Sequence, residues 1–215
     1  MIELGENNLL VTRRILRLAS YACLATLSQG NPYASLVAVA TDHDGSPLLL
    51  LSTLADHTQN LEHDNRASLL FALTEGHANP QTAPRVTATG LLERSDSPHH
   101  RKRYLARQPG AALYASFADF SIWRMAVTRL HFVGGFGRAV WFEARQVLLA
   151  DETANRFAEA EGSLITKLSQ THLGLCGIDA DGIDLVSQEG LVKRRLFVKP
   201  LDRPDEALDA ALIPE

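Results

Sequence analysis

Between residues 22 and 142 the chain keeps breaking short aliphatic and β-branched runs with Gly, Asn, Pro and Asp, and the breaks come too close together for helical crossovers. Residues 22–27, 33–41 and 48–52 read as strands, separated by Gln29-Gly30-Asn31-Pro32 and Asp42-His43-Asp44-Gly45. Such short turns join antiparallel neighbours. Residues 67–73 and 86–93 continue the pattern around a polar loop at 74–83, and residues 123–128, 131–133 and 139–142 close it. Six or more antiparallel strands with short helices predict a barrel, mainly β with some α.

Helical signals punctuate this body. Asn7 or Asn8 caps a helix in which Val11, Ile15, Leu18 and Ala19 recur at helical spacing, with Arg13, Arg14 and Arg17 on the other face, as in an amphipathic lid or packing helix. A short helix is expected over 54–64, and Ser97-Pro98 starts another that runs to Gln108 and stops at Pro109-Gly110. From Asp151 the texture changes: an Ala- and Glu-rich helix to Leu168, strands at 174–178, 183–187 and 191–198, and a last helix over 204–212. The expected division is a barrel over 1–148 and a small α+β C-terminal domain over 149–215.

Charge and cysteine content narrow the function classes. The net charge is −4, and the basic triplets Arg101-Lys102-Arg103 and Lys193-Arg194-Arg195 are too short to suggest nucleic acid as a partner. Residues 1–6 lack a basic and apolar leader, and no apolar run approaches the ~20 residues of a membrane span, so a cytoplasmic protein without membrane partners is expected. Cys23 and Cys176 read as small buried hydrophobes. None of the eight histidines shows HExxH or Cys/His ligand spacing, so no metal site is expected.

The segment 51–61 sets Ser52, Thr53, Asp56, His57, Thr58 and Asn60 at a strand-to-helix junction, where free N–H groups and hydroxyls can hold a phosphate. Equally, Ser52 or Asp56 can simply cap the helix. Two other constellations are Arg85-Val86-Thr87-Ala88-Thr89-Gly90 and Phe132-Val133-Gly134-Gly135-Phe136-Gly137-Arg138. With Ala34-Ser35-Leu36-Val37, Ala55-Asp56-His57-Thr58-Gln59-Asn60-Leu61 and Asn65-Arg66-Ala67-Ser68-Leu69, in that order, the chain resembles the pyridoxamine-5'-phosphate-oxidase-like FMN-binding family, and more closely its haem-utilisation branch. The resemblance covers about residues 8 to 142; Gly177-Ile178-Asp179-Ala180-Asp181-Gly182 is similar to the small domain that follows such barrels.

The resemblance implies an antiparallel, Greek-key-like FMN-binding split β-barrel that pairs as a homodimer, with residues 48–51 and Phe71 as candidates for the shared apolar face. It implies that Ser35 and Val37 run past the flavin, that Ser52 and Thr53 form the next contact, and that His57, Thr58 and Asn60 cradle the phosphate. His57-Thr58 stands where the oxidases carry an Arg-Lys pair, so Arg66 or Arg85 must compensate, Arg85 also matching a polar flavin contact. Trp123, with Arg124, faces a flavin or haem ring or packs in the core. Arg138 matches, but Ala139-Val140-Trp141 replaces the residues that hold the pyridoxal ring, so pyridoxamine phosphate is not the expected substrate. The implied function is an FMN-dependent oxidoreductase acting on a small-molecule substrate or electron donor. The alternatives are a haem-binding, haem-utilising protein, for which His172 is a candidate ligand, and a barrel without cofactor.

Overall fold

The computed structural model describes residues 7–135 and 137–214. The sequence readings of residues 1–6 and of Phe136 within the glycine-rich motif lie outside the described residues. In chain order the elements are α1 (Asn8–Leu18), β1 (Tyr21–Ser28), β2 (Asn31–Ala38), β3 (Ala40–Thr41), β4 (Pro47–Ser52), α2 (Asp56–His63), β5 (Arg66–Ala72), β6 (Arg85–Ser95), α3 (Pro98–Arg107), β7 (Phe120–Val133), β8 (Ala139–Glu143), α4 (Ala144–Val147), α5 (Asp151–Leu168), β9 (Leu175–Asp179), β10 (Gly182–Val186) and β11 (Val192–Leu196). The strands form an antiparallel sheet in the order β2-β1-β5-β6-β7-β4-β3, with β8 also on β7, and a second sheet β11-β10-β9. This is a split β-barrel followed by a small α+β unit.

The alternation in β1 explains the curl of the large sheet. Ala22, Leu24 and Thr26 point inward and are buried while their neighbours are not, and Leu69, Ala88 and Leu130 continue the same inner face on β5, β6 and β7. The expected break between 128 and 131 is absent: β7 is one strand of 14 residues. Its pairing with β6 slips once, between Thr89 and Gly90, so a bulge bends the ladder without ending it. Gly90 is needed there, because a Cβ would sit 2.2 Å from the Ala126 carbonyl oxygen.

Leu48 to Leu51 of β4 are all apolar because both faces of the strand are covered. Leu49 and Leu51 belong to the main core with Leu24, Phe71 and Trp123, whereas Leu48 and Leu50 pack with Tyr104 of α3 and Ile122. Residues 48–51 and Phe71 are therefore interior and do not supply an interface, which corrects the expectation above.

Helix α1 is capped by Asn7, whose Oδ1 accepts from Leu9 N at 3.0 Å. Asn7→Ala is expected to lower stability by about 1 kcal/mol, read from urea unfolding; an unchanged midpoint would mean the cap is dispensable. The helix packs on the main core through Val11, Ile15 and Leu16, the packing alternative of the two expected, but its arginine face is not solvated: Arg14 and Arg17 are buried as well. In the C-terminal unit α5 matches its expected bounds, but the expected helix over 204–212 is a 3-10 turn, Pro204–Leu208. After that turn Leu212 bridges Phe197, and Ile213 N donates to Leu196 O at 2.8 Å, so pairing with the end of β11 claims the backbone groups a helix would need.

A buried ionic cluster joins the two parts. Asp179, at 0% exposure, meets Arg17 at 3.3 Å, Arg103 at 2.5 Å and Arg194. Asp181 takes Arg17 Nε at 2.8 Å and Arg13 at 2.9 Å, and Asp184 takes Arg107 at 3.1 Å and Arg194 at 3.0 Å. Arg103 also pairs with Glu161 of α5 at 2.8 Å. Both basic triplets seen in the sequence thus place an arginine in the seam.

Candidate functional site

The junction between β4 and α2 is closed by local hydrogen bonds, but neither Ser52 nor Asp56 caps the helix, whose N-cap is Ala55 without a side-chain cap. Ser52 Oγ donates to Asp119 Oδ2 at 2.5 Å and accepts from Leu54 N at 3.1 Å, and Thr53 N donates to Asp119 O at 2.9 Å. Asn60 Nδ2 donates to Thr26 Oγ1 on β1 at 3.1 Å. Thr58 faces the sheet at 0% exposure, and its hydroxyl has no hydrogen-bond partner among the described residues. A phosphate cannot reach it without moving α2, whereas an open cleft was expected. Ser35 Oγ is enclosed in the same way, and Val37 is core. His57 is half-buried, and burial pulls its pKa below the ordinary histidine value against the opposing pull of Asp56, so the imidazole carries little charge for a phosphate near neutral pH.

The predicted cations are dispersed. Arg85 Nη1 donates to the carbonyls of Gln81 at 2.9 Å and Ala83 at 3.3 Å, which closes the 74–83 loop. The ladder sets Arg85 opposite Ala72 at the far end of β5, whereas Arg66 begins that strand beside α2; six residues of strand separate them by roughly 20 Å. Arg138 Nη2 donates to Asn8 Oδ1 at 2.7 Å, on the α1 side. Trp123 is a core residue, 3% exposed, while its neighbour Arg124 turns to the opposite face and meets Asp44 at 2.5 Å. His172, in the turn after α5, is half-buried, and its backbone N–H donates to Leu168 O at 2.8 Å.

What the structure does bring together is a groove of about 650 Å³ between the end of α2, the start of β5, and β6 with β7, lined by Leu61, His63, Arg66, Leu91, Arg94 and Trp123 among others. Its size is that of a small-molecule site. Arg94 places its guanidinium 5.3 Å above the Trp123 ring and pairs with Glu62. Arg66 pairs with Asp64 at 2.5 Å, and these hydrogen bonds hold the Asp64 carboxyl down at about 2. Both ion pairs are exposed, so their arginines exchange partners readily.

His63 is the residue that sequence reading missed. Its Nδ1 lies 2.8 Å from the Gln59 carbonyl, one helical turn back, so Nδ1 carries the proton and Nε2 keeps a free lone pair. The signal was present as Gln59 and His63 four residues apart on the expected 54–64 helix, but spacing alone did not distinguish them from a solvated face.

A second gathering of polar groups lies at the seam, where Asp42, His43 and His99 bring one ligand atom each within 4.8 Å of one another. Burial favours a neutral His43 ring, lowering its pKa despite the nearby Asp42. Burial would raise the pKa of Asp42, but hydrogen bonds from His100, His43 and His99 hold its carboxyl well below the usual range.

Known proteins share this architecture over its whole length. A protein of unknown function from Agrobacterium tumefaciens superposes with a TM-score of 0.78 at 25% identity, covering 97% of this chain and 96% of that one. A heme binding protein from Mycobacterium smegmatis does so with a TM-score of 0.64 at 26% identity, again over 97% and 96%. The chloroplastic heme oxygenase HOZ of Arabidopsis thaliana is 35% identical over 133 residues, which are 59% of this chain and 40% of that protein, so the match spans less than half of the relative. No helix among the described residues is long and apolar enough to cross a membrane. The model of the family described as "CREG, beta-barrel" matches residues 5–147, about two thirds of the sequence, and the chain therefore belongs to the CREG β-barrel family.

Proposed function

We propose that the protein binds haem in the groove beside α2 and serves haem utilisation, and that His63 is the residue that would hold the iron. The observation that carries this reading is the His63 hydrogen bond to Gln59 O at 2.8 Å, because a metal-ligating histidine characteristically commits its other ring N–H to a carbonyl and presents a bare nitrogen. The remaining lining supports this reading: Leu91, 36% exposed, offers apolar surface, and Arg66 and Arg94 can trade their exposed carboxylate partners for propionates. The likenesses to a heme binding protein and a heme oxygenase support the same ligand. Haem supplies the redox and oxygen chemistry when bound. The chain's part is to orient it through His63 and to neutralise its acidic edge.

FMN, the cofactor of the resembled oxidases, has less to hold it: Thr58 is sealed, Ser52 is engaged by Asp119, and Arg85 is engaged by loop carbonyls. Titrating haemin and, separately, FMN into the purified protein tests the choice. A saturable Soret band with one haem per chain is expected. Tight FMN binding without a Soret response would restore the flavin-dependent oxidoreductase reading.

A homodimer fits the same surface. Leu36, Cys23, Leu70, Thr87, His131 and Trp141 sit directly opposite one another across β2, β1, β5, β6, β7 and β8, forming one cross-strand row on the outer face. Leu36 is 76% and Trp141 48% exposed, and Trp141 stacks on His131 with centroids 4.5 Å apart. Such a continuous apolar and aromatic stripe is what a second copy would cover. Arg66 and Leu91 lie on the same face by strand alternation, so the partner would flank the groove. Leu36→Glu is expected to turn a dimer into a monomer in sedimentation; a dimer that survives the change would move the interface elsewhere.

A further inference from the structure

We propose that Asp42, His43 and His99 form a binding site for Zn²⁺, with three protein ligands and a fourth position open to water. This site is separate from the haem groove and does not depend on that reading. The ligand atoms are Asp42 Oδ1, His43 Nδ1 and His99 Nε2, at mutual distances of 3.1 Å (His99 to Asp42), 3.2 Å (His99 to His43) and 3.9 Å (His43 to Asp42). Bonds of ~2.0–2.2 Å in a tetrahedral shell put ligand atoms about 3.3–3.5 Å apart, so the three already stand close to the positions one ion requires.

Protons alone satisfy this arrangement poorly. If His99 Nε2 donates to Asp42 Oδ1, its proton is not available to His43 Nδ1, 3.2 Å away; if it donates to His43, or accepts a hydrogen bond from His43 Nδ1, Asp42 loses that bond. His43 is 2% exposed, and its Nε2 makes no hydrogen bond among the described residues. A single cation would engage all three atoms together and put the proton of His43 on Nε2, 3.7 Å from Glu161 Oε1, so that a shift of under ~1 Å would complete the carboxylate–histidine–metal arrangement.

The surroundings hold these ligands in place. Arg17 donates to the Asp42 carbonyl at 2.5 Å and the His43 carbonyl at 2.7 Å, which clamps the β3–β4 turn. His43 N donates to Asp42 Oδ1 at 2.8 Å. The other carboxylate oxygen of Asp42 takes His100 Nε2 at 3.1 Å and Arg124 Nε at 3.4 Å, and Arg124 is neutralised by Asp44. His99 keeps a third of its side chain exposed, which gives an ion a way in.

Calorimetric titration of Zn²⁺ into the full chelator-treated chain is expected to show one saturable equivalent and a rise in melting temperature. His99→Ala, at a half-buried position in the first turn of α3, is expected to weaken that equivalent at least about tenfold and cancel the rise, while His63→Ala and His172→Ala keep both. Co²⁺ loading of the wild type gives a readout that needs no variant, since visible ligand-field bands are expected from a nitrogen and oxygen shell. Absence of a saturable equivalent, equal Zn²⁺ affinity in His99→Ala, or no Co²⁺ bands would each overturn the site.

Discussion

Asp179→Ala is expected to destabilise the protein by about 3–5 kcal/mol, because it strips a buried carboxylate from three arginines that are themselves shut away from water. Asp179 has no exposed surface and bonds Arg103 at 2.5 Å, Arg17 at 3.3 Å and Arg194. Remove it and Asp184, Asp181 and Glu161 remain to balance the clustered cations, none of them placed to reach all three. For a chain of this length the loss amounts to roughly 6–20 °C in Tm, measured by circular dichroism. A fall under about 1 kcal/mol would mean that water or a shifted side chain replaces Asp179.

The pH dependence carries the same signature. Burial alone would raise the Asp179 pKa, but Arg17, Arg194 and Arg103 more than reverse it and hold the carboxyl far below its usual range. A pKa depressed by folding contributes stability that is fully present above the unfolded value near ~3.9 and is lost as pH falls below it. Wild-type stability should therefore drop steeply below about pH 4. The variant should show a shallower acid limb.

His63→Ala is expected to weaken haem binding by at least about ten- to hundred-fold, the range seen when even the groups supporting a metal ligand are removed. His63 is exposed at the end of α2, so the apo-protein should change by no more than ~0.5 kcal/mol. That contrast separates a lost ligand from a damaged fold. Arg94→Ala should have a smaller effect, because the propionate contact it offers is solvent-screened. His172→Ala should have none. An unshifted Soret band at unchanged affinity in His63→Ala would remove the groove assignment while leaving haem itself open to another ligand.

Much of the architecture was legible along the chain because its signals are local. Turn residues and period-two burial located β1, β2, β4, β5 and β6, and the helix expected from Asp151 to Leu168 has those bounds in the structure. The order of motif pieces pointed to a split barrel for the same reason, since each piece is a short stretch whose backbone needs particular residues. Local signals also misled. Residues 129–130 read as a break between strands, yet a bulge opposite Gly90 lets β7 run on, and the row Leu48 to Leu51 reads as a surface although α3 covers its second face.

Tertiary structure alone decided the charges and the sites. Arg17 looks like the solvent side of a helix until Asp181, 164 residues away, closes on it. Asp42 and His99, 57 residues apart, carry no ligand spacing, yet the β3–β4 turn and the first turn of α3 bring their atoms to 3.1 Å. Thr58 reads as a phosphate donor until the packing of α2 seals it, and His63 reads as a solvated residue until β6 and β7 build a wall opposite it. Backbone conformation answers to near neighbours in sequence, whereas a polar side chain takes its burial, partner and chemistry from whatever the closed chain places beside it.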